Sequence, residues 1–148
     1  MPGAHRDARA AVLGAALAAL LIATAFVGLR LALHDGDPTR WVRVGERVPD
    51  PTALPPDFFR ERGLGYDGQY YYRLARAPWS TDHLVDGLQF GRPVYRHQRI
   101  GYPIVAWALS AGGRQSLVPW TLAAANILAA AVAAAAAAAL LLRRGASH

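Results

Sequence analysis

Cysteine is absent from the 148 residues, and lysine is absent too, since all 16 basic residues are arginine. Without cysteine the chain cannot form a disulfide framework, a thiolate metal site or a cysteine nucleophile. Charged residues are scarce at 18%, while hydrophobic residues make up 53%. Soluble domains carry about 25% charged residues, so this composition argues against a free-standing soluble enzyme and against a disordered chain. The arginine and alanine bias is typical of a GC-rich bacterial genome.

The formal net charge of +6 is not concentrated where a nucleic acid would bind. Residues 34–99 carry ten arginines against nine acidic residues, so this segment is close to neutral. The remaining positive charge stands at the edges of the apolar stretches, where it orients membrane segments. A nucleic-acid surface needs clustered basic residues on the part of the chain in water. We therefore expect no nucleic-acid partner.

The first apolar stretch, residues 10–29, contains 20 residues without a charge. A helix of that length is about 30 Å long, which matches the hydrocarbon core of a membrane. Basic residues precede it, so residues 1–9 are predicted to stay in the cytoplasm. A cleavable signal peptide is the alternative, with a small-residue site near Ala23 and Ala25. Because the apolar run continues to residue 33, interrupted only by Arg30, we predict a transmembrane helix over residues 10–33.

A second uncharged stretch covers residues 117–142 and is closed by Arg143 and Arg144, leaving a short tail at 143–148. It is long enough to span a membrane with some tilt. Both stretches are rich in alanine, and in the first one a small residue recurs at every fourth position: Ala11, Ala15, Ala19 and Ala23. Such a stripe lets another helix approach closely, which predicts further transmembrane helices or subunits as partners. Codon-driven alanine enrichment without a specific partner is the alternative.

Residues 100–113 form a third uncharged stretch that is short for a span, and they predict a short re-entrant or membrane helix. With two full spans, Arg143 and Arg144 are cytoplasmic, as the positive-inside rule favours; with three they face outward. Residues 34–99 are then an extracytoplasmic loop, with short helices predicted at 57–62 and 67–76. The fold class is an all-α membrane protein: two long transmembrane helices, with or without the third, flanking this loop.

The loop contains the densest local pattern of the chain, residues 65–75. If a helix begins near Gly68, Tyr70 and Tyr71 lie on one side of it, and Asp67 stands at its N-terminus, where the helix field stabilises a carboxylate. On chemistry alone Asp67 is an N-cap and the tyrosines are a membrane-interface belt. A second cluster, Asp82, His83 and Asp86, lacks the further ligands of a metal site and is interpreted as solvated loop. We expect no metal and no cofactor.

The sequence Tyr66-Asp67-Gly68, with Tyr71 three residues on, resembles the first-loop motif of polytopic GT-C glycosyltransferases. These membrane enzymes use polyprenyl-phosphate sugars and carry a "(Tyr/Trp)-Asp-Gly-x-x-Tyr" type of pattern after their first span. Residues 95–103 are also similar to the loop exit of bacterial members. The resemblance covers essentially the whole chain, but only the N-terminal part of such an enzyme.

The resemblance implies that Asp67 is the catalytic base near the acceptor. It implies a substrate site as well, in which arginines hold the lipid phosphate and tyrosines line the sugar. The residues concerned are Tyr70, Tyr71, Tyr95, Arg96 and Arg99. Headgroup contact and interfacial anchoring are the alternative roles for these arginines and tyrosines.

Two functions remain open from the sequence. In the first, the chain is a truncated or split part of a glycosyltransferase in the bacterial inner membrane, contributes Asp67 to sugar transfer and is inactive alone. In the second, it is a small non-catalytic membrane protein or subunit that packs against partner helices. Membrane lipid is a partner in both cases, and a polyprenyl-phosphate sugar only in the first.

Overall fold

The computed structural model describes residues 2–89 and 97–145, and this part of the chain is mostly helical. The helices are α1 (Pro2–Ala32), α2 (Gly68–Arg76), α3 (Gly101–Leu109) and α4 (Val118–Gly145). Two 3₁₀ turns lie at Pro38–Trp41 and Pro51–Ala53. The strands are short: β1 (Val44–Gly45), β2 (Arg60–Glu61), β3 (Leu84–Val85) and β4 (Leu88–Gln89).

Within the described residues, two helices are long and apolar enough to cross a membrane, judged by length and composition: Arg6–Ala32 of α1 and Val118–Gly145, the whole of α4. None of the apolar stretch of α1 is buried, and only 6% of that of α4 is. The core helix of a soluble protein would be mostly buried. Large side chains such as Ile22, 71% exposed, and Val132, 68% exposed, therefore need lipid or other helices around them. The two predicted apolar helices are confirmed, and they indicate association with a membrane.

The chain forms two compact units. One contains α1 and the part of α4 from Asn126 onward. The other, Leu33–Ala125, is called the loop unit below, and it holds α2, α3, the strands and the first residues of α4. The candidate site residues that the structure describes, Asp67, Tyr70, Tyr71 and Arg99, all belong to the loop unit.

The core of the loop unit forms on the buried side of α2. Tyr72, Leu74 and Ala75 are at most 1% exposed, and α2 packs against α3 and β1. The Tyr72 ring meets the buried Phe58 ring edge to face, with the centroids 5.1 Å apart. Burial of side chains of this size contributes about 1.5–3 kcal/mol each. The other buried members of the cluster are Val42, Val44, Leu54, Leu88, Ala106, Val118 and Leu122.

The strands replace one predicted helix. β1 pairs in parallel with β2, so that Val44 lies opposite Arg60. The helix predicted at residues 57–62 is therefore wrong. An ion pair connects the two strands as well: the Arg43 guanidinium, next to β1, forms two hydrogen bonds of 2.5 Å with the carboxylate of Glu61 in β2. This bidentate pair reinforces the pairing of β1 with β2, which joins residues 16 positions apart and so leaves no local sequence pattern.

Strands β3 and β4 form an antiparallel hairpin whose two-residue turn is Asp86-Gly87. Both turn residues have positive φ, 49° and 74°. A type I′ turn requires this conformation, and Asp-Gly is one of the sequences that best adopts it. The hairpin thus places the Asp86 carboxylate at a fixed position beside α2.

Two arginines of α2 point into the loop unit. Arg73 is fully buried and donates a hydrogen bond to the Asp82 carbonyl; burial lowers its pKa, and the Asp82 charge opposes that shift. Arg76 donates to both carboxylate oxygens of Asp86 and to the carbonyl of Gly113. The hydrogen bond to Asp86 raises the pKa of Arg76, and burial works against it. Arg76 therefore connects α2, the β3–β4 turn and the segment after α3.

Tyr72 makes the stability of the loop unit sensitive to alkaline pH. Burial, and to a smaller extent the charge of Asp86, raise the pKa of its hydroxyl above the ordinary value near 10. The folded chain therefore keeps this proton where the unfolded chain releases it, so the stability is complete below pH 10 and is lost as the pH rises further. We expect the free energy of unfolding to fall above pH 10 by about 1.4 kcal/mol per pH unit from this group. Tyr72→Phe should flatten that fall in pH-dependent unfolding; equal slopes in wild type and variant would contradict the prediction.

Candidate functional site

Asp67 stands at the N-terminus of α2 with an exposed side chain. Its backbone carbonyl accepts hydrogen bonds from the amides of Tyr70 and Tyr71, at 3.0 and 3.2 Å, and so begins the helix. Its carboxylate makes no capping hydrogen bond to the helix. The structure therefore does not give the side chain the N-cap role that local chemistry favours.

The buried side chain of Gln69 connects the segment before Asp67 to β1 through hydrogen bonds. The side-chain NH₂ of Gln69 donates to the backbone carbonyl of Leu64 at 2.8 Å, and its side-chain oxygen accepts from the backbone amide of Gly45 at 3.4 Å. The Tyr66 amide donates to the Arg43 carbonyl at 3.1 Å, and the Arg43 guanidinium lies 4.1 Å from the centre of the Tyr66 ring. Such a framework holds the backbone at Asp67 in one place, as a reacting carboxylate requires.

Glycines permit this close packing. A Cβ on Gly68 would lie 2.6 Å from the carbonyl oxygen of Val42 and 2.7 Å from that of Trp41. Gly65 has a φ of +74°, and a Cβ added there would lie 2.6 Å from the carbonyl oxygen of Arg43. The pattern Gly-Tyr-Asp-Gly therefore has a structural reason at both glycines, independent of any reaction at Asp67.

One turn further along α2, Tyr71 joins two other segments. Its ring meets Tyr102 of α3 edge to face at 5.3 Å, and its hydroxyl accepts a hydrogen bond of 3.4 Å from the exposed Arg99. Asp67 and Tyr71 are four residues apart and so share a face of the helix. Tyr70 is partly buried. Of the candidate residues, Tyr71 and Arg99 are thus in direct contact, while Tyr95 and Arg96 lie outside the described residues.

The acidic residues of the second cluster do not converge. The Asp82 carboxylate accepts a hydrogen bond from the Ser80 hydroxyl at 2.8 Å, whereas Asp86 binds Arg76. In the part of the chain that the structure describes, no group of three or more His, Asp or Glu residues could hold a metal ion. These carboxylates serve turns and an ion pair.

A cavity of about 530 Å³ opens elsewhere in the loop unit, and none of the described candidate residues lines it. Its walls come from the chain just after α1, from the turn before β2 and from the start of α4. They are formed by Asp35, Gly36, Asp37, Pro38, Thr39, Pro55, Asp57, Phe58, Gln115, Ser116, Pro119 and Trp120. No sequence pattern indicates this cavity, because its residues are separated by up to some eighty positions and follow no regular spacing.

Hydrogen bonds tie the cavity walls to one another. The Thr39 hydroxyl donates to the Asp37 carboxylate at 2.6 Å and accepts from the Phe59 amide at 2.9 Å. The Gln115 side-chain amide donates to the Ala53 carbonyl at 3.4 Å. The cavity is therefore formed by connected segments of the loop unit rather than by one turn.

Comparison of the chain with protein-family models, with curated proteins and with solved structures found no match.

Proposed function

We propose that the chain is a multi-pass protein of the bacterial inner membrane that contributes its acidic loop motif to GT-C-type sugar transfer from a polyprenyl-phosphate donor. The observation that carries the proposal is the presentation of Asp67. Its carboxylate is exposed at a clamped helix end and is not used as a cap. Tyr71 and Arg99 make contact one turn away. The resemblance of residues 66–71 to the first-loop motif of these enzymes supports the same function.

In this proposal Asp67 removes the proton from the acceptor hydroxyl while the oxygen of that hydroxyl attacks the sugar. The polyprenyl phosphate leaves, and Arg99, with Arg96, stabilises its negative charge. Tyr70, Tyr71 and Tyr95 line the sugar. Two apolar helices do not enclose a lipid-linked donor, so further transmembrane helices take part, and the chain is inactive alone.

The test of this function uses cells of the source organism in which the gene has been deleted and then restored. We expect wild-type protein to restore turnover of polyprenyl-phosphate sugars, measured by mass spectrometry of extracted lipids. Asp67→Asn should lower that turnover about a hundredfold, since general-base catalysis is worth at least this much. Glu46→Gln, which neutralises another exposed carboxylate of the loop unit, should behave as wild type. Full turnover with Asp67→Asn at equal protein levels would refute the role of Asp67.

The proposed topology can be mapped because the chain has no cysteine, so each introduced cysteine is the only one. With two spans and an extracytoplasmic loop, Thr52→Cys should react with a membrane-impermeant maleimide on intact cells. Asp7→Cys and Gly145→Cys should react only after permeabilisation. Labelling of Gly145→Cys on intact cells would instead show three spans, and protection of Thr52→Cys would place the loop unit inside.

A non-catalytic role is the second candidate, and the exposed helices favour it. No residue of the alanine stripe on α1 is buried within the chain. A partner helix packed on that stripe would explain the small side chains without any chemistry at Asp67. In the restored cells, Ala15→Leu and Ala19→Leu would then remove function, while Asp67→Asn would not.

A further inference from the structure

The cavity of the loop unit has the chemistry of a site for a positively charged organic group. We propose that it binds the ammonium group of a small amine or of a lipid headgroup. Its volume of about 530 Å³ is in the range of small-molecule sites. This inference is independent of sugar transfer at Asp67, because none of the described residues of the candidate site lines the cavity.

The charged residues that line the cavity determine whether a bound ligand is positively or negatively charged. Among the described residues, three carboxylates line the cavity, those of Asp35, Asp37 and Asp57, and no arginine or histidine does. Asp37 lies 3.6 Å from the Arg40 guanidinium, which partly neutralises it. Within the described residues, neither Asp35 nor Asp57 has an ion-pair partner. The field in the cavity is therefore negative, so it attracts cations and repels phosphates and carboxylates.

The apolar part of the lining decides what kind of cation fits. Trp120 is 45% exposed, so part of its side chain remains open to a ligand. Phe58, together with prolines 38, 55 and 119, completes an apolar wall. A hydrated metal ion gains nothing from such a wall, whereas an alkylammonium group binds aromatic faces through cation–π attraction and buries its methyl or methylene groups.

The walls are held in place before a ligand arrives. Phe58 is buried and its ring packs against Tyr72 of α2. Thr39 joins the Asp37 segment to the chain at Phe59, and Gln115 joins the start of α4 to Ala53. Binding therefore requires little ordering of the protein, which favours affinity for a small ligand.

Two sources can supply the ammonium group. Asp35 follows α1 by three residues, and Trp120 is the third residue of α4. If both helices span the membrane, these walls belong to chain that is leaving the bilayer, where ethanolamine headgroups are abundant. A free extracytoplasmic amine has the same chemistry, so the test separates the two sources.

The experiment uses the full chain in nanodiscs of phosphatidylglycerol, with the tryptophan side chains labelled with ¹⁵N. The chain has four tryptophans, and Trp120→Phe identifies the resonance of the cavity. Choline is the probe, and 3,3-dimethyl-1-butanol, its uncharged isostere, is the matched control. We expect choline to shift the Trp120 indole resonance in a saturable way, and the isostere to leave it in place.

Asp35→Asn and Asp57→Asn should each weaken choline binding about tenfold, whereas Glu46→Gln should leave it unchanged; a tenfold loss corresponds to about 1.4 kcal/mol. Equal shifts with choline and its isostere, no shift with either, or unaltered binding in both aspartate variants would each overturn the proposal. Nanodiscs that also contain phosphatidylethanolamine then identify the source. Weaker apparent choline binding there shows that the headgroup occupies the cavity, and unchanged binding shows that the ligand is a free amine.

Discussion

Replacing Gly65 by alanine is expected to lower the free energy of unfolding of the loop unit by about 3–4 kcal/mol. Its φ of +74° is strained for alanine, and the added Cβ would also collide with backbone atoms of Gly45 and Arg43. Those atoms belong to or adjoin β1, so they cannot move away without disturbing the pairing of β1 with β2. Because Gly65 precedes Tyr66 and Asp67 directly, the same shift would displace the candidate base.

Gly63→Ala is the matched control for this change. Gly63 has a φ of +89°, so alanine is strained there as well, but a Cβ at this position meets nothing within 4 Å. Gly63→Ala should therefore lower the free energy of unfolding by only about 1 kcal/mol. Thermal unfolding in detergent micelles, followed by tryptophan fluorescence, compares the two variants. Equal losses would show that backbone conformation alone, and not the close approach of β1, explains the glycine at position 65.

Asp86→Asn is expected to destabilise the loop unit by about 3 kcal/mol. The side chains of Arg76 and Asp86 are only 23% and 17% exposed, so the substitution leaves a largely buried guanidinium without its carboxylate. Asparagine adopts the positive φ that the turn needs nearly as well as aspartate does. The asparagine variant therefore keeps the hairpin turn and removes the charge.

Asp86→Ala separates the ion pair from the turn. Alanine removes the carboxylate and also strains the position, whose φ is 49°, so it should be less stable than the asparagine variant by about 1 kcal/mol. Chemical unfolding of the three proteins at neutral pH measures both differences. If Asp86→Asn were as stable as wild type, the ion pair would contribute nothing, and water would be able to solvate Arg76 in the folded state.

The long helices were predictable because their signal is local. An uncharged stretch of 20 or more residues specifies a helix by itself, and both predicted stretches are helical. Their ends were less accurate: α1 begins at Pro2 rather than at residue 10. The absence of charged residues shows which part of a helix is suited to the hydrocarbon core of a membrane, but it does not show where the helix begins. Charged residues such as Arg6 and Arg9 are good helix formers and can extend the helix into water.

The short elements were predictable only where local chemistry decides them. The helix predicted at 67–76 is present as α2, and it ends two residues before Pro78, which disfavours helical backbone in the residue that precedes it. The segment at 57–62 instead pairs with residues some sixteen positions earlier. No local pattern contains that partner. The cavity was missed for the same reason, since Asp57 and Trp120 acquire a common role only through the tertiary fold.

The contacts of Arg76 have a consequence for the order in which the loop unit can be completed. Its last partner, the Gly113 carbonyl, is made 37 residues after the arginine itself. A ribosome extends the chain from its N-terminus, so α2 emerges long before this acceptor exists. Until then Asp86 of the β3–β4 turn is the one partner, among those described for the guanidinium, that is already present. The last hydrogen bond that fixes α2 therefore forms only after the ribosome has added Gly113, when most of the loop unit has been synthesised.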